Sequence, residues 1–313
     1  MIIVSLFEGL GNQMFQYATA RCLAEKHSTV IKLDISSFES NKRRKYGLNC
    51  FNIQENIATQ AEIEWLLKHP KNRIDKYWKK GLKRIGLQSQ LDESFFQEKF
   101  FHFDQDILEA ASNTYLYGFW QSGKYFADIR EILLSEFSIK YPPSFQNREL
   151  SRKIESHESI SLHIRRGDFV QDSKTHQFHG ACSLDYYNRC IEYVSEKTNN
   201  PHFFVFSDDP HWAKENLRQD ISTTIVENNS GFKAYEDLQL MSQCKHNIIA
   251  NSSFSWWGAW LNANPDKIVC APKQWFRNKL MDTKYFIPEG FIPWYKDTFV
   301  DTKDLVPEDW MKI

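Results

Sequence analysis

Residues 161–170 read SLHIRRGDFV, and this stretch governs what the rest of the chain can be. An apolar, strand-like run carries His163, Arg165, Arg166 and Asp168 close together. Charged groups are seldom buried unless they are paired or given work. Side chains of a strand alternate faces, so His163 and Arg165 share one face while Ile164 and Arg166 share the other. Gly167 ends the run and Asp168 lies just past it, where α/β sheets bind ligands. An arginine there can fork two hydrogen bonds onto a phosphate. The alternative is an exposed strand end closed by an Arg–Asp pair. The tripeptide RGD alone is weak support for an adhesive loop.

Working outward, the second half alternates regularly. Strand-like runs at 160–166, 202–209, 223–228, 246–253 and 267–272 are separated by helical patterns at 183–197, 210–217, 236–244 and 255–263. That alternation predicts a doubly wound parallel sheet with ligands beyond the C-terminal strand ends. At the other end of the chain, IIVSLF (2–7), GLGNQ, a helical pattern to Lys26 and VIKLDIS (30–36) form a βαβ opening. YPPSF (141–145) is the best linker, because two prolines interrupt regular structure. The expectation is an α/β protein of two Rossmann-like domains, 1–145 and 146–313, with parallel sheets facing a cleft.

Composition narrows the function classes. A net charge of −1 gives no global field for nucleic acid, so a basic site must be local. The six cysteines are scattered without a CxxC pair, and the N-terminus lacks the basic start of a signal peptide. No apolar run reaches the ~20 residues of a membrane span. A cytoplasmic protein with reduced thiols is expected. No GxxxxGK[ST] loop is present, which argues against an ATPase.

Three further segments end strands with polar residues. Ser207, Asp208 and Asp209 offer acceptors to ribose hydroxyls or a guanine edge, or else cap the helix starting at Pro210. Asn251, Ser252, Ser253 and Phe254 open an apolar helix whose N–H groups suit either a cap or an anion. Trp256, Trp257 and Trp260 recur at helical spacing and read as core. In the N-terminal half, Gly9 and Gly11 with Asp34 mimic a dinucleotide fingerprint, but Met14 stands where its third glycine belongs. The glycines read as a close backbone approach to a ligand, with Asn12 and Gln13 as hydrogen-bonding groups, or as a tight turn. His176, His179 and Asp168 could be drawn as a metal set, yet they lack regular spacing. Together these features suit a nucleoside diphosphate held between two domains, with arginine in place of a metal.

GLGNQMFQYA (9–18), SLHIRRGDFV (161–170), FVFSDD (204–209) and DLQLMSQCKHNIIANSSFSWWGAWL (237–261) closely resemble the bacterial α1,2-fucosyltransferases of glycosyltransferase family 11. GFWQS (118–122) and HGACSLDYY (179–187) resemble lesser family blocks, and the likeness runs from about 3 to 290. It implies a GT-B-like, inverting, metal-independent enzyme without a cofactor, with GDP-fucose in the C-terminal half and a galactose-terminated acceptor mainly in the N-terminal half. On that likeness Arg165 meets the β-phosphate, His163 and Asp209 the guanosine, and Ser252, Ser253 and Phe254 the phosphates and fucose. Glu8, Gly9, Gly11, Asn12, Gln13 and His179 would then line the acceptor side. Glu8 departs from the family, which often has glycine there.

The reaction needs a group to take the acceptor proton and a positive field on the departing diphosphate. Asp168 is the first candidate base, with Glu8 and Asp34 as others, and Arg165 is the diphosphate group. The basic stretch 68–87 puts Ile74, Trp78, Leu82 and Ile85 on one helical face. It reads as a core-packed helix or as a peripheral contact with an anionic inner membrane presenting a lipid-linked glycan.

Overall fold

The computed structural model describes residues 1–41, 43–68, 94–229, 231–287, 292, 295 and 299–313, apart from the side chains of Lys68, Asp168, Gln171, Lys174 and Phe232. Except for Lys68, the basic stretch lies outside the described residues.

The first half builds β1 (Ile2–Ser5), α1 (Leu10–Lys26), β2 (Ile31–Asp34), α2 (Gln60–Lys68), β3 (Phe95–Gln97) and β4 (Thr114–Tyr117). Its strands are all parallel, in the order β2-β1-β4-β3. β1 is buried along its whole length, as the central position of a covered parallel sheet requires. Two helices, α3 (Arg130–Glu136) and α4 (Phe145–Glu155), connect to the second sheet.

The second half runs β5 (Glu158–Ile164), α5 (Gly167–Gln171), α6 (Ser173–Phe178), α7 (Leu184–Ser195), β6 (Pro201–Ser207), α8 (Pro210–Asn216) and β7 (Ser222–Val226). It continues through α9 (Ala234–Gln243), β8 (His246–Ile248), α10 (Ser253–Leu261) and β9 (Val269–Ala271). These strands are parallel and ordered β9-β8-β5-β6-β7. The chain steps outward from β5 to β7, then returns to β5's other side. The strand order therefore reverses between β5 and β8, the crevice where open α/β sheets take ligands. The two-sheet, GT-B-like architecture matches the expectation.

The segment after β9 differs from it. β10 (Lys279–Met281), β11 (Lys284–Phe286) and β12 (Phe299–Asp301) form a small antiparallel sheet. These strands are three residues each, too short for an alternation to mark them in the sequence, although Tyr285 and Val300 are fully buried. Beyond them the chain crosses to the first half. The Asp304 carboxylate accepts from Phe103 N at 3.2 Å and Lys124 Nζ at 2.6 Å, and its carbonyl accepts from Ser122 Oγ. The chain then comes back, and β13 (Met311–Lys312) joins the second sheet beside β9.

One continuous hydrophobic cluster runs through both halves. Its centre is α1 against α10: Phe15 lies 4.5 Å from Trp256 and 5.0 Å from Trp257, and Phe126 stacks on Trp257 at 5.3 Å. Trp256 and Trp257 are fully buried, as their helical spacing suggested. The Trp257 indole donates to Gly11 O at 3.0 Å. A Cβ on Gly11 would sit 2.5–2.7 Å from the Ser253 and Phe254 backbone, so only glycine fits. The close partner of this glycine is the other half of the protein rather than a ligand.

Gly11→Ala should therefore destabilise the protein by about 3 kcal/mol or more, because neither backbone can yield without moving a helix. Gly9 has open space around it, and Gly9→Ala should cost less than about 1 kcal/mol. Urea unfolding of the two variants checks the contrast; equal midpoints would sink it.

Candidate functional site

The Gly11 contact brings two helix N-termini together. α1 starts at Gly9 and α10 at Ser252, and neither N-cap makes a side-chain capping bond. Each first turn offers backbone N–H groups and the positive end of a helix dipole. Two such ends, one from each half, meet where β1 and β8 finish. That is a place prepared for an anion.

β5 ends beside them. His163 is buried, and its Nδ1 has no hydrogen-bond partner among the described residues. Burial, helped by the charge of Arg165, pushes its pKa down to about 3, so the ring is neutral at physiological pH. It packs 5.7 Å from the ring of Phe254. A buried polar atom left open at a strand end is a natural ligand contact.

Past the ladder, both arginines find carboxylates. Arg165 Nη1 lies 2.9 Å from Asp208 Oδ2, and its guanidinium lies 5.5 Å from the centre of the Phe169 ring. Arg166 donates its backbone N–H to Asp208 Oδ1 at 2.8 Å and its Nε to Asp209 Oδ2 at 3.4 Å, with its guanidinium 4.0 Å over Trp212. Asp209 also caps α8 by accepting from Trp212 N at 3.1 Å, and Ser207 Oγ accepts from Asp209 N at 3.0 Å. A Cβ on Gly167 would meet Asp208 Oδ2 at 2.5 Å, which is why glycine follows the two arginines. The structure shows the Arg–Asp pairing at this strand end: two cations and two anions balance there. Asp168 sits in the first turn of α5, and its side chain lies outside the described residues.

Several predicted groups are committed elsewhere. The Asn251 amide donates to His179 O, Gly180 O and Trp275 O, which fixes the turn that carries the HGACS segment. His179 stacks on Phe169 at 4.7 Å, linking it through that ring to Arg165. Gln13 donates to Glu8 O and Lys45 O and accepts from Gly47 N, so it braces the 45–47 segment. Asn12 Oδ1 accepts from Gln121 Nε2 at 2.8 Å. The buried Asp34 accepts from Tyr115 OH at 2.6 Å and Ser36 N at 3.0 Å, which leaves it poorly placed to act as a base. Ser252, Ser253 and Phe254 are half-buried at the head of α10. Glu8 is exposed in a left-handed backbone conformation (φ 64°), with Arg44 Nε 3.6 Å from its carboxylate. Glycine would take that conformation without strain.

Other groups at the sheet ends were missed by the sequence reading. Half-buried Phe7, Tyr117 and Phe119 cluster where β1 and β4 finish, with ring separations of 5.3 and 5.1 Å. Glu98, just after β3, accepts from Phe119 N, Trp120 N and Tyr295 OH, each at 2.8 Å, and burial lifts its pKa to about 7. Asp237, at the start of α9, accepts from Asn229 at 2.7 Å; burial raises it to about 7 as well. Their one sequence signal is an acid beside apolar neighbours. No group of three or more metal-ligating side chains occurs among the described residues, and no described helix is long and apolar enough to cross a membrane.

Comparison with known proteins bears on the family of the chain. The profile of Glycosyl transferase family 11 matches residues 1–289. The O-antigen biosynthesis glycosyltransferase WbnK of Escherichia coli is 34% identical, covering 86% of this chain and 92% of its own. An Escherichia coli alpha-1,2-colitosyltransferase is 31% identical over 93% of this chain and 98% of its own. The galactoside alpha-(1,2)-fucosyltransferase 1 of Leontopithecus chrysomelas is 25% identical over 89% and 71%. Among solved structures, NodZ alpha-1,6-fucosyltransferase soaked with GDP-fucose aligns with a TM-score of 0.47 at 14% identity, covering 83% of this chain and 92% of that one.

The state of His163 has a pH signature. Its folded pKa lies below the unfolded value near 6.5, so the unfolded chain binds the extra proton between pH 6.5 and about 3. Stability from this group is complete above pH 6.5 and falls by about 1.4 kcal/mol per unit below it. Glu98 and Asp237 act with opposite sign, losing stability as pH rises toward 7. Comparing wild type with His163→Asn in urea at pH 7, 5.5 and 4.5 isolates the histidine. The variant should lose less stability on acidification, and parallel losses would show that His163 is not held neutral.

Proposed function

Because the chain belongs to glycosyl transferase family 11, we propose that it transfers fucose from GDP-fucose to the 2-hydroxyl of a terminal galactoside in a bacterial surface glycan, an O-antigen or capsule repeat. The meeting of two uncapped helix N-termini beside His163 and Arg165 carries this reading. A leaving nucleoside diphosphate is the ligand that such a field suits. The donor then lies against the second sheet, and the acceptor against Glu8 and the rings of Phe7, Tyr117 and Phe119, where an apolar sugar face can stack. The enzyme works on the cytoplasmic side, where a lipid-linked acceptor would also be within reach.

The proposed mechanism inverts the sugar. The acceptor oxygen attacks the anomeric carbon opposite the diphosphate, and the C–O bond to GDP breaks. Arg165 and the N–H groups heading α1 and α10 stabilise the charge that accumulates on GDP, with no metal required. Asp168 takes the acceptor proton. A second donor has specific support, since the colitosyltransferase aligns with 93% of this chain. Colitose linked to GDP is therefore the rival substrate.

The deciding assay measures GDP release in EDTA from each donor, with lactose or N-acetyllactosamine present or absent, and reads the new linkage by NMR. Acceptor-dependent release from GDP-fucose with an α1,2 product supports the whole reading. Turnover with GDP-colitose alone transfers the proposal to that donor, and inactivity reversed by magnesium removes the metal-free mechanism. Arg165→Ala should lower kcat by about 100-fold or more; turnover within threefold of wild type would remove Arg165 from the mechanism. Asp168→Asn should abolish transfer while leaving GDP binding intact.

A further inference from the structure

At the opposite end of α10 from the diphosphate site, a cavity of about 390 Å³ is lined by Arg130, Trp260, Asn264, Lys267, Asp309 and Trp310 among others. Lys267 reaches into the helix's last turn and donates to Ala259 O at 3.0 Å and Asn262 O at 2.6 Å. Arg130 donates to Trp260 O at 2.9 Å and lies 4.4 Å over the indole of the same residue. Two cations thus cap the negative end of one helix. Crowding them together in a partly dry place has a chemical result. Burial and then the charge of Arg130 hold the Lys267 pKa down to about 8, against the opposing pull of Asp309. Glu131 faces Arg130 from α3, and Asp266 precedes Lys267 in the chain.

A neutral amine has two N–H donors and one lone pair. With both donors on the two carbonyls, the lone pair of Lys267 is the part left for the cavity. We propose that Lys267 is an acylation site, the nucleophile for small acyl phosphates that enter this cavity with their phosphate toward Arg130. The Nζ lone pair attacks the acyl carbon and an N–C bond forms. The C–O bond to phosphate breaks, inorganic phosphate leaves with the electron pair, and the amine's surplus proton passes to solvent. The amide product keeps one N–H donor and no charge, so acylation strips a cation from the end of the helix whose other end heads the diphosphate site.

The test incubates the full chain with acetyl phosphate between pH 7 and 9.5 and follows each lysine by peptide mass spectrometry. Lys267 should be acetylated at least tenfold faster at pH 7.5 than Lys214 and Lys245, whose ammonium groups are half-exposed in ion pairs. Its rate should reach half-maximum near pH 8. Arg130→Gln should slow acetyl phosphate about tenfold more than it slows the neutral reagent N-acetoxysuccinimide, whose smaller change reports the loss of Arg130's charge beside Lys267, and equal slowing of the two reagents overturns the choice of acyl phosphates. Labelling of Lys267 no faster than the two comparison lysines, or a midpoint at the ordinary lysine value, overturns the assignment. An acetyl phosphate rate indifferent to Arg130→Gln overturns the choice of acyl phosphates as the reagent. Lys267→Arg keeps the cation while removing the product, so a signal that persists in that variant also overturns it.

Discussion

The structure depends on one close approach, that of Gly11 to the Ser253–Phe254 backbone. It sets the distance between the two halves, because no side chain stands between them there. It brings the N-termini of α1 and α10 to one point, and it seats the Trp257 indole on Gly11 O. Phe15, Phe126, Trp256 and Trp257 pack around it, so the meeting helix N-termini sit directly on an aromatic cluster. Fixed donors in such a setting need no reorganisation when charge develops. The rigidity of the core and the electrostatics of the cleft therefore have a single origin.

The arginine–aspartate lattice is the second constraint. Two adjacent arginines past a strand end would repel each other and sample many rotamers. Asp208 holds the Arg166 backbone and the Arg165 side chain at once, and Asp209 ties Arg166 to the head of α8. Arg165 is thus held in one orientation, with its charge balanced by Asp208. His163 contributes in the opposite way, since burial strips it of charge and leaves a neutral imidazole. The result is a site with positive direction but little net charge.

Much of this was legible from sequence because it is local. Apolar runs marked β5 and β6, Pro210 marked the start of α8, and the Trp spacing marked the buried face of α10. What was illegible is pairwise and distant. The glycine of GLGNQ announces a close approach but cannot name the partner, and here the partner is more than 240 positions away. SDD read as ligand acceptors or a helix cap, and Asp209 does cap α8, but nothing local shows that HIRRG lies beside it. Asn251 looked free for a ligand, yet three backbone carbonyls claim its amide. The β10–β12 sheet escaped because its strands are too short to show an alternation, and Glu98 because its partners Trp120 and Tyr295 lie on other segments. Glu8 was singled out as a departure from glycine, and its left-handed backbone explains why glycine would be at ease there.

The path of the last residues has a consequence in time. Asp304 clasps Ser122 and Lys124, Leu305 O accepts from the Trp256 indole at 2.8 Å, and β13 completes the second sheet. A ribosome makes the chain in order, so both sheets can form their main strands while this clasp is still being synthesised. Until it emerges, Glu98 lacks Tyr295 and the Trp256 N–H lacks its carbonyl. The contacts that residues 304–312 add between the halves therefore come after the α1–α10 joint and the main strands of both sheets are already available.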